Sequence, residues 1–267
     1  MKQLFYKYQG TGNDFVIIDA RSFDKKIFTP TKIKHICDRR FGIGADGLML
    51  LTLKEGFDFE MLYFNANGLP GSMCGNGGRC MVAFAQFLGI LRKNKAYFWA
   101  IDGPHEAVID ASYTVTLKMK AVSVKDFDFD YMFLDTGSPH HIEFVSDLDS
   151  YDIFSVGRAI RNNERYRTEG TNVNFVQILE KNHIKVATYE RGVEDETLSC
   201  GTGVTAAAIA YYLKSGLSTN SIQIDIQTKG GNLQVLFNVQ HRSFMNIWLT
   251  GPAVQVFKGQ VSLGVDA

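Results

Sequence analysis

Short apolar runs recur along the chain, and seven of them are rich in β-branched or aromatic residues. Gly, Asn and Asp separate these runs at intervals typical of antiparallel sheets. The pattern therefore predicts a protein built mainly of short strands. The predicted strands cover residues 15–19, 48–53, 59–64, 113–119, 174–179, 184–190 and 233–237.

Two segments carry the signals of surface helices. Thr29 and Pro30 stand where an N-cap residue and a first-turn proline would begin a helix over 31–40. A second surface helix is predicted over 152–163.

Two further helical segments, 78–88 and 203–213, are apolar on nearly every side. Each precedes a glycine suited to end a helix, Gly89 for the first and Gly216 for the second. Because a helix that is apolar all round must be surrounded by protein, each is expected to run through the middle of its own sheet. Two enclosed helices imply two domains.

The sequences before these two helices match each other. Cys74 begins Cys-Gly-Asn-Gly and Cys200 begins Cys-Gly-Thr-Gly. A Thr-Gly pair lies upstream of each, with Thr11 63 residues before Cys74 and Thr136 64 residues before Cys200. The nearly equal spacing predicts an internal duplication of about 125 residues.

These observations predict an α+β protein with two pseudo-symmetric domains, each a mainly antiparallel sheet wrapped around a central buried helix. We place the boundary near residue 120, which gives an N-terminal domain of 1–120 with Cys74 and a C-terminal domain of 121–267 with Cys200. Whether the last strand packs on the N-terminal domain stays open. With no long linker visible, the halves are expected to pack closely around a cleft.

The charge balance narrows the class of partner. Lys and Arg total 28, as do Asp and Glu, so the formal net charge of the 267 residues is zero. This argues against a nucleic acid or an anionic membrane as the main partner. No apolar run approaches the roughly 18 residues of a membrane span, and the N-terminus turns polar too early for a signal peptide.

The sparse cysteines are typical of a reduced, cytoplasmic protein rather than of a disulfide framework. They are Cys37, Cys74, Cys80 and Cys200. With no Cys-x-x-Cys and no histidine pair beside them, no metal site is expected.

A cysteine at a helix start followed by Gly-x-Gly has a chemical meaning. The unpaired N–H groups and partial positive charge of the helix N-terminus lower a thiol's pKa, and the glycines let a carboxylate approach those N–H groups. A lone cysteine of this kind is usually a small buried hydrophobe. A matched pair instead favours proton transfer next to a carboxylate, in which one thiolate removes an α-proton and the opposite thiol returns one, without a redox cofactor.

Other polar residues near the motifs could support this chemistry. Asn65, Glu190 and Arg191 each end an apolar run nine or ten residues before a cysteine motif. Arg191 could clamp a carboxylate, and Glu190 or His140 could orient or deprotonate a thiol. Taken singly, each is also consistent with a solvated or structural role.

Two other features have alternative interpretations. The segment 42–47 fits the Gly-x-Gly-x-x-Gly dinucleotide fingerprint, which requires a strand before it and a helix after it. Here the predicted helix precedes and the predicted strand follows, so no nucleotide site is expected.

Asn13 and Asn172 are consistent with turn residues as well as with substrate contacts.

Six motifs together resemble the diaminopimelate epimerase family. They occur in order, and their combination at these spacings is highly specific. They are GTGNDF (10–15), FNANG (64–68), MCGNGGRC (73–80), GTNVNF (170–175), YERG (189–192) and SCGTG (199–203).

The resemblance implies a pyridoxal-independent, cofactor-free epimerase that interconverts LL- and meso-2,6-diaminopimelate on the route to lysine and peptidoglycan, with a homodimer as the expected assembly. It implies that Cys74 and Cys200 are the acid/base thiols and that His140 and Glu190 tune them. The residues that would bind substrate are Asn13, Asn65, Asn172, Glu190 and Arg191, together with Gly75, Asn76, Gly201 and Thr202, whose amides would receive the reacting carboxylate.

The sequence departs from the family pattern at two positions. Ser138 stands where family members often carry asparagine before Pro-His, and Gly47 stands where some carry glutamine. The resemblance therefore implies no glutamine contact at position 47 and leaves a substrate contact from position 138 open.

Three other functions stay open. A proline racemase or hydroxyproline epimerase would look similar around both cysteines but favours histidine at the position of Asn76. A thiol redox protein would need a resolving cysteine close to Cys74 or Cys200, and Cys80 lies nearly opposite Cys74 on a helix. A non-catalytic carboxylate-binding module would leave the paired thiols without a purpose.

Overall fold

The computed structural model describes residues 2–124 and 131–262. The chain divides into two compact units, one running to Leu117 and resuming at Pro252, and the other running from Lys118 to Gly251.

Strands dominate both units. In chain order they are β1 (Lys2–Gly10), β2 (Asn13–Asp19), β3 (Gly47–Thr52), β4 (Phe59–Asn65), β5 (Lys95–Ala100), β6 (Gly103–Ile109), β7 (Thr114–Lys118), β8 (Val122–Ser123), β9 (Met132–Asp135), β10 (Pro139–Phe144), β11 (Asn172–Glu180), β12 (His183–Glu190), β13 (Asp195–Thr197), β14 (Ser221–Thr228), β15 (Gly231–Gln240), β16 (Ser243–Pro252) and β17 (Val254–Ser262). The α-helices are α1 (Pro30–Cys37), α2 (Gly75–Phe87), α3 (Ile153–Arg161) and α4 (Gly201–Ser215), and a 3₁₀ turn covers Lys25–Ile27.

The first unit is a sheet of mainly antiparallel pairs. Its β1 pairs antiparallel with β2 on one side and with β17 on the other. From β2 the order continues with a parallel pair to β3, an antiparallel pair to β4, a parallel pair to β5 and antiparallel pairs to β6 and β7.

The second unit repeats this order. Here β9 pairs antiparallel with β10, β10 parallel with β11, β11 antiparallel with β12, β12 parallel with β14, and β14 to β16 antiparallel in turn. The helices occupy matching places, because α1 and α3 connect the first parallel pair of each unit and α2 and α4 connect the second. The predicted pseudo-symmetric α+β architecture is confirmed.

A buried helix lies at the centre of each unit. Every residue of α2 from Gly75 to Ala85 is buried, and the helix contacts β1, β2, β3, β4 and β6. The helix α4 is buried from Gly203 to Tyr212 and contacts β9 to β12, β14 and β15. Its alanines let strands approach closely on several sides, so α4 forms the middle of a large apolar core.

Both central helices begin earlier than the sequence pattern indicates. They start at Gly75 and Gly201, directly after the motif cysteines, rather than at residues 78 and 203. Glycine is a poor helix former, so the glycine-rich starts were predicted as flanks. The cysteines are extended N-cap residues, and the glycines form the first turn of each helix. Because Gly77 and Gly203 have no side chain, Met49 of β3 and Asn174 of β11 can lie against the helix backbone there.

The two surface helices, α1 and α3, form in the segments where the sequence predicts them. Thr29 caps α1 by accepting a hydrogen bond from the Lys32 N–H, and Pro30 is the first helical residue. In the second unit α3 is capped by Asp152. The glycine-rich segment 42–47 follows α1 and leads into β3, the reverse of a dinucleotide-binding context.

Candidate active site

Cys74 is the N-cap residue of α2. Its backbone is extended, its Sγ lies 3.5 Å from the Gly77 N–H nitrogen that donates to it, and the same Sγ lies 3.5 Å from Asn13 Oδ1. The sulfur therefore sits at the positive end of a buried helix. In its thiol form Cys74 also donates a hydrogen bond to Asn13.

Hydrogen bonds fix the orientation of the Asn13 amide. Asn13 Nδ2 donates to Asp46 Oδ2 at 2.6 Å, and Asn76 Nδ2 donates to Asn13 Oδ1 at 3.4 Å. Asn76 is itself oriented by Arg79, whose Nη2 donates to Asn76 Oδ1 at 3.0 Å. Asn13 and Asn76, both assigned to substrate binding from the sequence, are thus brought to the Cys74 sulfur.

A group of paired charges lies behind Asn13. Asp14 Oδ2 is 2.7 Å from Lys7 Nζ and Asp14 Oδ1 is 2.7 Å from Arg39, which also contacts Asp46 at 2.8 Å. Burial of Asp14 by itself would raise the pKa of its carboxyl. Hydrogen bonds from Arg39 and Lys7 outweigh that effect and lower the pKa to about 2. The group balances two carboxylates with two cations.

Asn65 and Gly47 lie opposite each other on β4 and β3. Asn65 is exposed at the end of its strand, and its backbone N–H donates to Leu69 O at 2.9 Å. Within residues 2–124 and 131–262, no hydrogen bond joins Asn65 to Cys74 or Asn13. At Gly47 an added Cβ would lie 2.5 Å from Phe64 O and from the Tyr63 ring, so no side chain fits there.

Cys200 is the N-cap residue of α4 and is 9% exposed. Its Sγ lies 3.5 Å from the Thr202 hydroxyl, which can donate to it. The Thr136 hydroxyl donates to the Thr202 carbonyl at 2.8 Å and so holds the first turn of α4. In the first unit, Thr11 likewise accepts a hydrogen bond from Arg79 of α2. The threonine of each repeated Thr-Gly pair thus contacts the first part of the buried helix in its own unit.

His140 is fully buried in the second unit. Its Nδ1 lies 3.0 Å from Asn174 Nδ2, and its Nε2 has no hydrogen-bond partner among the described residues. Burial, with a smaller contribution from the charge of Arg191, lowers its pKa to about 3. The imidazole is therefore neutral at ordinary pH.

Asn174 was missed by the sequence analysis, although it contacts both His140 and the start of α4. Its Oδ1 accepts from Thr188 at 3.0 Å, and a Cβ added at Gly203 would lie 2.4 Å from the same oxygen. Asn172 and Asn174 alternate along β11, and that spacing of two polar residues in an apolar run was the available signal.

The remaining polar residues meet at the ends of β11 and β12. Asn172 Nδ2 donates to Pro139 O at 3.1 Å, and Asn172 Oδ1 accepts from the Arg191 N–H at 2.9 Å. The exposed Arg191 donates from Nη1 to Glu169 O at 2.7 Å. Glu190 is half-buried at the end of β12. Asn172 is thus a connecting residue between three segments rather than a simple turn residue.

The other two cysteines differ from the N-cap pair. Cys37 and Cys80 are buried, and desolvation raises the pKa of each thiol to about 12. They remain neutral thiols at ordinary pH. Over the described ranges, no three His, Cys, Asp or Glu side chains are grouped so that they could hold a metal ion.

Comparison with known proteins identifies the family. The family model for diaminopimelate epimerase matches residues 5–122 and 132–256, one segment for each repeat. The chain belongs to the diaminopimelate epimerase family. It is accordingly an isomerase of the epimerase type.

Individual relatives agree over nearly the full chain. The diaminopimelate epimerase of Flavobacterium psychrophilum is 50% identical over 255 residues, which are 95% of this chain and 98% of that protein. The diaminopimelate epimerase of Chlorobaculum tepidum is 42% identical over 264 residues, covering 95% and 99%.

Solved structures share the fold at much lower identity. A phenazine biosynthesis protein of the PhzF family from Bacillus anthracis aligns with a TM-score of 0.75 at 16% identity and covers 98% of this chain and 99% of its own. A hydroxyproline epimerase from Agrobacterium vitis aligns at 0.72 and 14%, covering 97% and 92%. Among the described helices, none combines the length and hydropathy needed to cross a bilayer.

Proposed function

We propose that this protein interconverts LL- and meso-2,6-diaminopimelate by two-base proton transfer through Cys74 and Cys200. The observation that carries the proposal is the repeated placement of a thiol at the N-cap of a buried helix, once in each of two repeats with the same strand order. Membership of the diaminopimelate epimerase family, and relatives of that name at 50% and 42% identity, supply the substrate.

The chemistry follows from the two helix starts. One sulfur, as thiolate, takes the α-proton, so that the C–H bond breaks and an S–H bond forms, while the electron pair delocalises into the α-carboxylate. The other sulfur, as thiol, gives its proton to the opposite face of that carbon. The amides of Gly75, Asn76, Gly201 and Thr202 are the donors for the charge that builds on the carboxylate, and each such donor is worth about 3 kcal/mol in other enzymes.

Polar side chains take supporting roles. Neutral His140 acts as a hydrogen-bond donor through Nε2, and Glu190 adjusts the charge near Cys200. Arg191 and Asn172 bind the distal part of the substrate, which carries a second carboxylate and ammonium group, and Asn13 and Asn65 bind from the first repeat. Hydrogen bonds of Asn13 to the Cys74 group and of Asn172 to Arg191 support these assignments.

Other properties follow from the same assignment. The reaction uses no cofactor, because the two thiols and the helix amides supply both proton transfer and charge stabilisation. Each of the two compact units acts as a domain that contributes one thiol, Cys74 from the unit that resumes at Pro252 and Cys200 from the other. The protein works in the cytoplasm as a homodimer on a small-molecule substrate and binds no nucleic acid, in keeping with its zero net charge and its sparse cysteines.

The test is proton NMR of LL-diaminopimelate with the reduced protein in D₂O, without pyridoxal phosphate. We expect loss of the α-proton signal together with appearance of the meso isomer. The variant Cys37→Ala is the matched control, because it removes a buried thiol outside the proposed chemistry and should retain activity. No exchange from folded, reduced protein would rule out the diaminopimelate assignment, and proline and hydroxyproline would then be tested as substrates.

Single thiol variants separate a two-base from a one-base mechanism. Cys74→Ala and Cys200→Ala should each abolish epimerisation. Each retains one base, so each should exchange the α-proton of only one configuration, and the two variants should exchange opposite configurations. Exchange of both configurations by one variant would contradict the two-base assignment.

A further inference from the structure

Arg79 is a charged residue in the interior of the first unit. It lies on α2 five residues after Cys74, and its relative exposure is 0%. Its Nη2 donates to Asn76 Oδ1 at 3.0 Å and to Thr11 Oγ1 at 3.1 Å, and its Nε donates to Pro252 O at 3.5 Å. These partners are all neutral.

Buried arginines are normally paired with carboxylates, because an isolated charge is costly to desolvate. Arg79 forms no ion pair with any carboxylate in the described part of the chain, and its Nη1 has no hydrogen-bond partner there. The groups near it that can become anionic are the thiols of Cys74 and Cys80. Burial raises the pKa of Cys80 to about 12, so that thiol stays neutral.

The surrounding elements do not supply a counter-charge. On β1, the Tyr8 hydroxyl donates to Gln255 Oε1 of β17 at 3.1 Å, and burial raises its pKa above the ordinary value, so it is neutral. The carboxylates of Asp14 and Asp46 beyond Asn13 are balanced by two cations, one of which is Arg39. The charge of Arg79 therefore acts on Cys74 without being cancelled.

We propose that Arg79 is a positioning residue for the reaction, which supplies the buried positive charge that stabilises the Cys74 thiolate and orients the amide relay beside that sulfur. The relay runs from Arg79 through Asn76 to Asn13, whose Oδ1 faces Cys74 Sγ. The Asn13 oxygen favours the thiol and the Arg79 charge favours the thiolate. A full charge in a low-dielectric interior outweighs an amide dipole, so the net effect is to favour the thiolate.

This inference gives the proposed function a residue to which the sequence motifs assigned no role, and it rests on the role of Cys74 as a base. Its test does not need the substrate, however. The rate of Cys74 alkylation by iodoacetamide is followed by peptide mass spectrometry from pH 5 to pH 10. In the unaltered protein the midpoint of the Cys74 profile should lie below the value of about 8.5 for an ordinary thiol.

Variants at Arg79 separate charge from hydrogen bonding. Arg79→Met and Arg79→Gln remove the charge, and we expect each to raise the Cys74 midpoint by about one pH unit, which slows alkylation about tenfold below the midpoint. Arg79→Lys keeps the charge, so its Cys74 midpoint should stay close to that of the unaltered protein. Cys200, measured in the same digests, is the internal control and should not move.

Several results would overturn the inference. The first is a Cys74 midpoint in the unaltered protein at or above the ordinary value. The second is a folded Arg79→Met or Arg79→Gln variant whose Cys74 profile is unchanged. The others are a Cys74 midpoint that rises as much in Arg79→Lys as in Arg79→Met, or a midpoint of Cys200 that rises as much as that of Cys74. The Cys74 midpoint of the unaltered protein tests the inference even if Arg79→Met and Arg79→Gln fail to fold. Because no substrate is present, a protein without epimerase activity would still show whether Arg79 controls Cys74.

Discussion

His140 and Asn174 determine each other's hydrogen-bonding roles. Asn174 Oδ1 accepts from Thr188, and Asn174 Nδ2 donates to His141 O at 3.1 Å, so the NH₂ group is the one that faces His140 Nδ1 at 3.0 Å. His140 Nδ1 is therefore an acceptor, and the single proton of the neutral ring resides on Nε2. The buried imidazole thus presents a donor that has no partner in the described part of the protein.

The neutrality of His140 predicts a pH dependence of stability. Its pKa is about 3 in the folded protein against an ordinary 6.5, so below pH 6.5 the unfolded chain takes up a proton that the folded protein does not. The contribution of His140 to the free energy of unfolding should therefore fall by about 1.4 kcal/mol per pH unit as the pH drops from 6.5 toward 3, and be fully retained above 6.5. Urea denaturation at pH 7, 6 and 5 measures this slope.

Two histidine variants isolate that contribution. His140→Asn should have a shallower slope than the unaltered protein, while His241→Asn, at an exposed turn whose positive φ asparagine tolerates, should keep the original slope. Equal slopes for the unaltered protein and His140→Asn would contradict the assignment of a neutral buried ring.

The second glycine of each Cys-Gly-x-Gly motif predicts an asymmetry between the repeats. An added Cβ at Gly203 would lie 2.4 Å from Asn174 Oδ1, which is held by hydrogen bonds, whereas at Gly77 it would meet the flexible end of Met49 at 2.1 Å. Gly203→Ala should destabilise the protein by about 2 kcal/mol through overpacking.

Gly77→Ala is the matched control for that substitution. Since the Met49 methyl can move and alanine is the better helix former, its cost should stay below about 1 kcal/mol. Urea unfolding of the two variants provides the comparison. The prediction is wrong if the two substitutions cost the same.

The thiols should divide into two classes on alkylation. Cys37 and Cys80 are buried with pKa values of about 12, so native protein at pH 8 should not be labelled there within the time that labels Cys74 and Cys200. In urea all four should react. Peptide mass spectrometry reports each site, and labelling of Cys80 at the rate of Cys74 would contradict the burial of Cys80.

Asp14 should contribute more to stability than a surface carboxylate. Asp14→Asn leaves the buried Lys7 ammonium without its carboxylate partner, at a cost of about 2 kcal/mol at pH 7 after allowance for partial exposure. The pKa of Asp14 is about 2 in the folded protein against an ordinary 3.8. The difference in free energy of unfolding between the unaltered protein and Asp14→Asn should therefore be largest above pH 4 and disappear as the pH falls through 2.

Asp19→Asn is the comparison for Asp14. Asp19 pairs with Arg21 at the surface, where both side chains are about one-third exposed, so its loss should cost under about 0.5 kcal/mol. Unfolding by urea at pH 7 and at pH 3 compares the variants. A cost for Asp19→Asn equal to that for Asp14→Asn would mean that Lys7 is not stabilised by Asp14.

Local pattern predicted the parts of the fold in which one strand or helix is apolar by itself. All seven predicted strands are present, because each is a run of β-branched or aromatic residues with turn residues beside it. Strands such as β14 were missed. In β14 buried and exposed positions alternate strictly, and its polar half makes the segment look like a loop unless the period of two is counted.

The sequence by itself determined the strand-rich composition, the duplication, the two apolar helices and the family, because these depend on short-range pattern and on motifs that lie along one stretch of chain. Only the tertiary structure decided which distant side chains meet: Asn174 with His140, or Arg79 with Thr11. Residues 34 positions apart become neighbours through the pairing of β10 with β11, and no local periodicity encodes that register. The same holds for the uncancelled charge of Arg79, since a charge is isolated only with respect to everything folded around it.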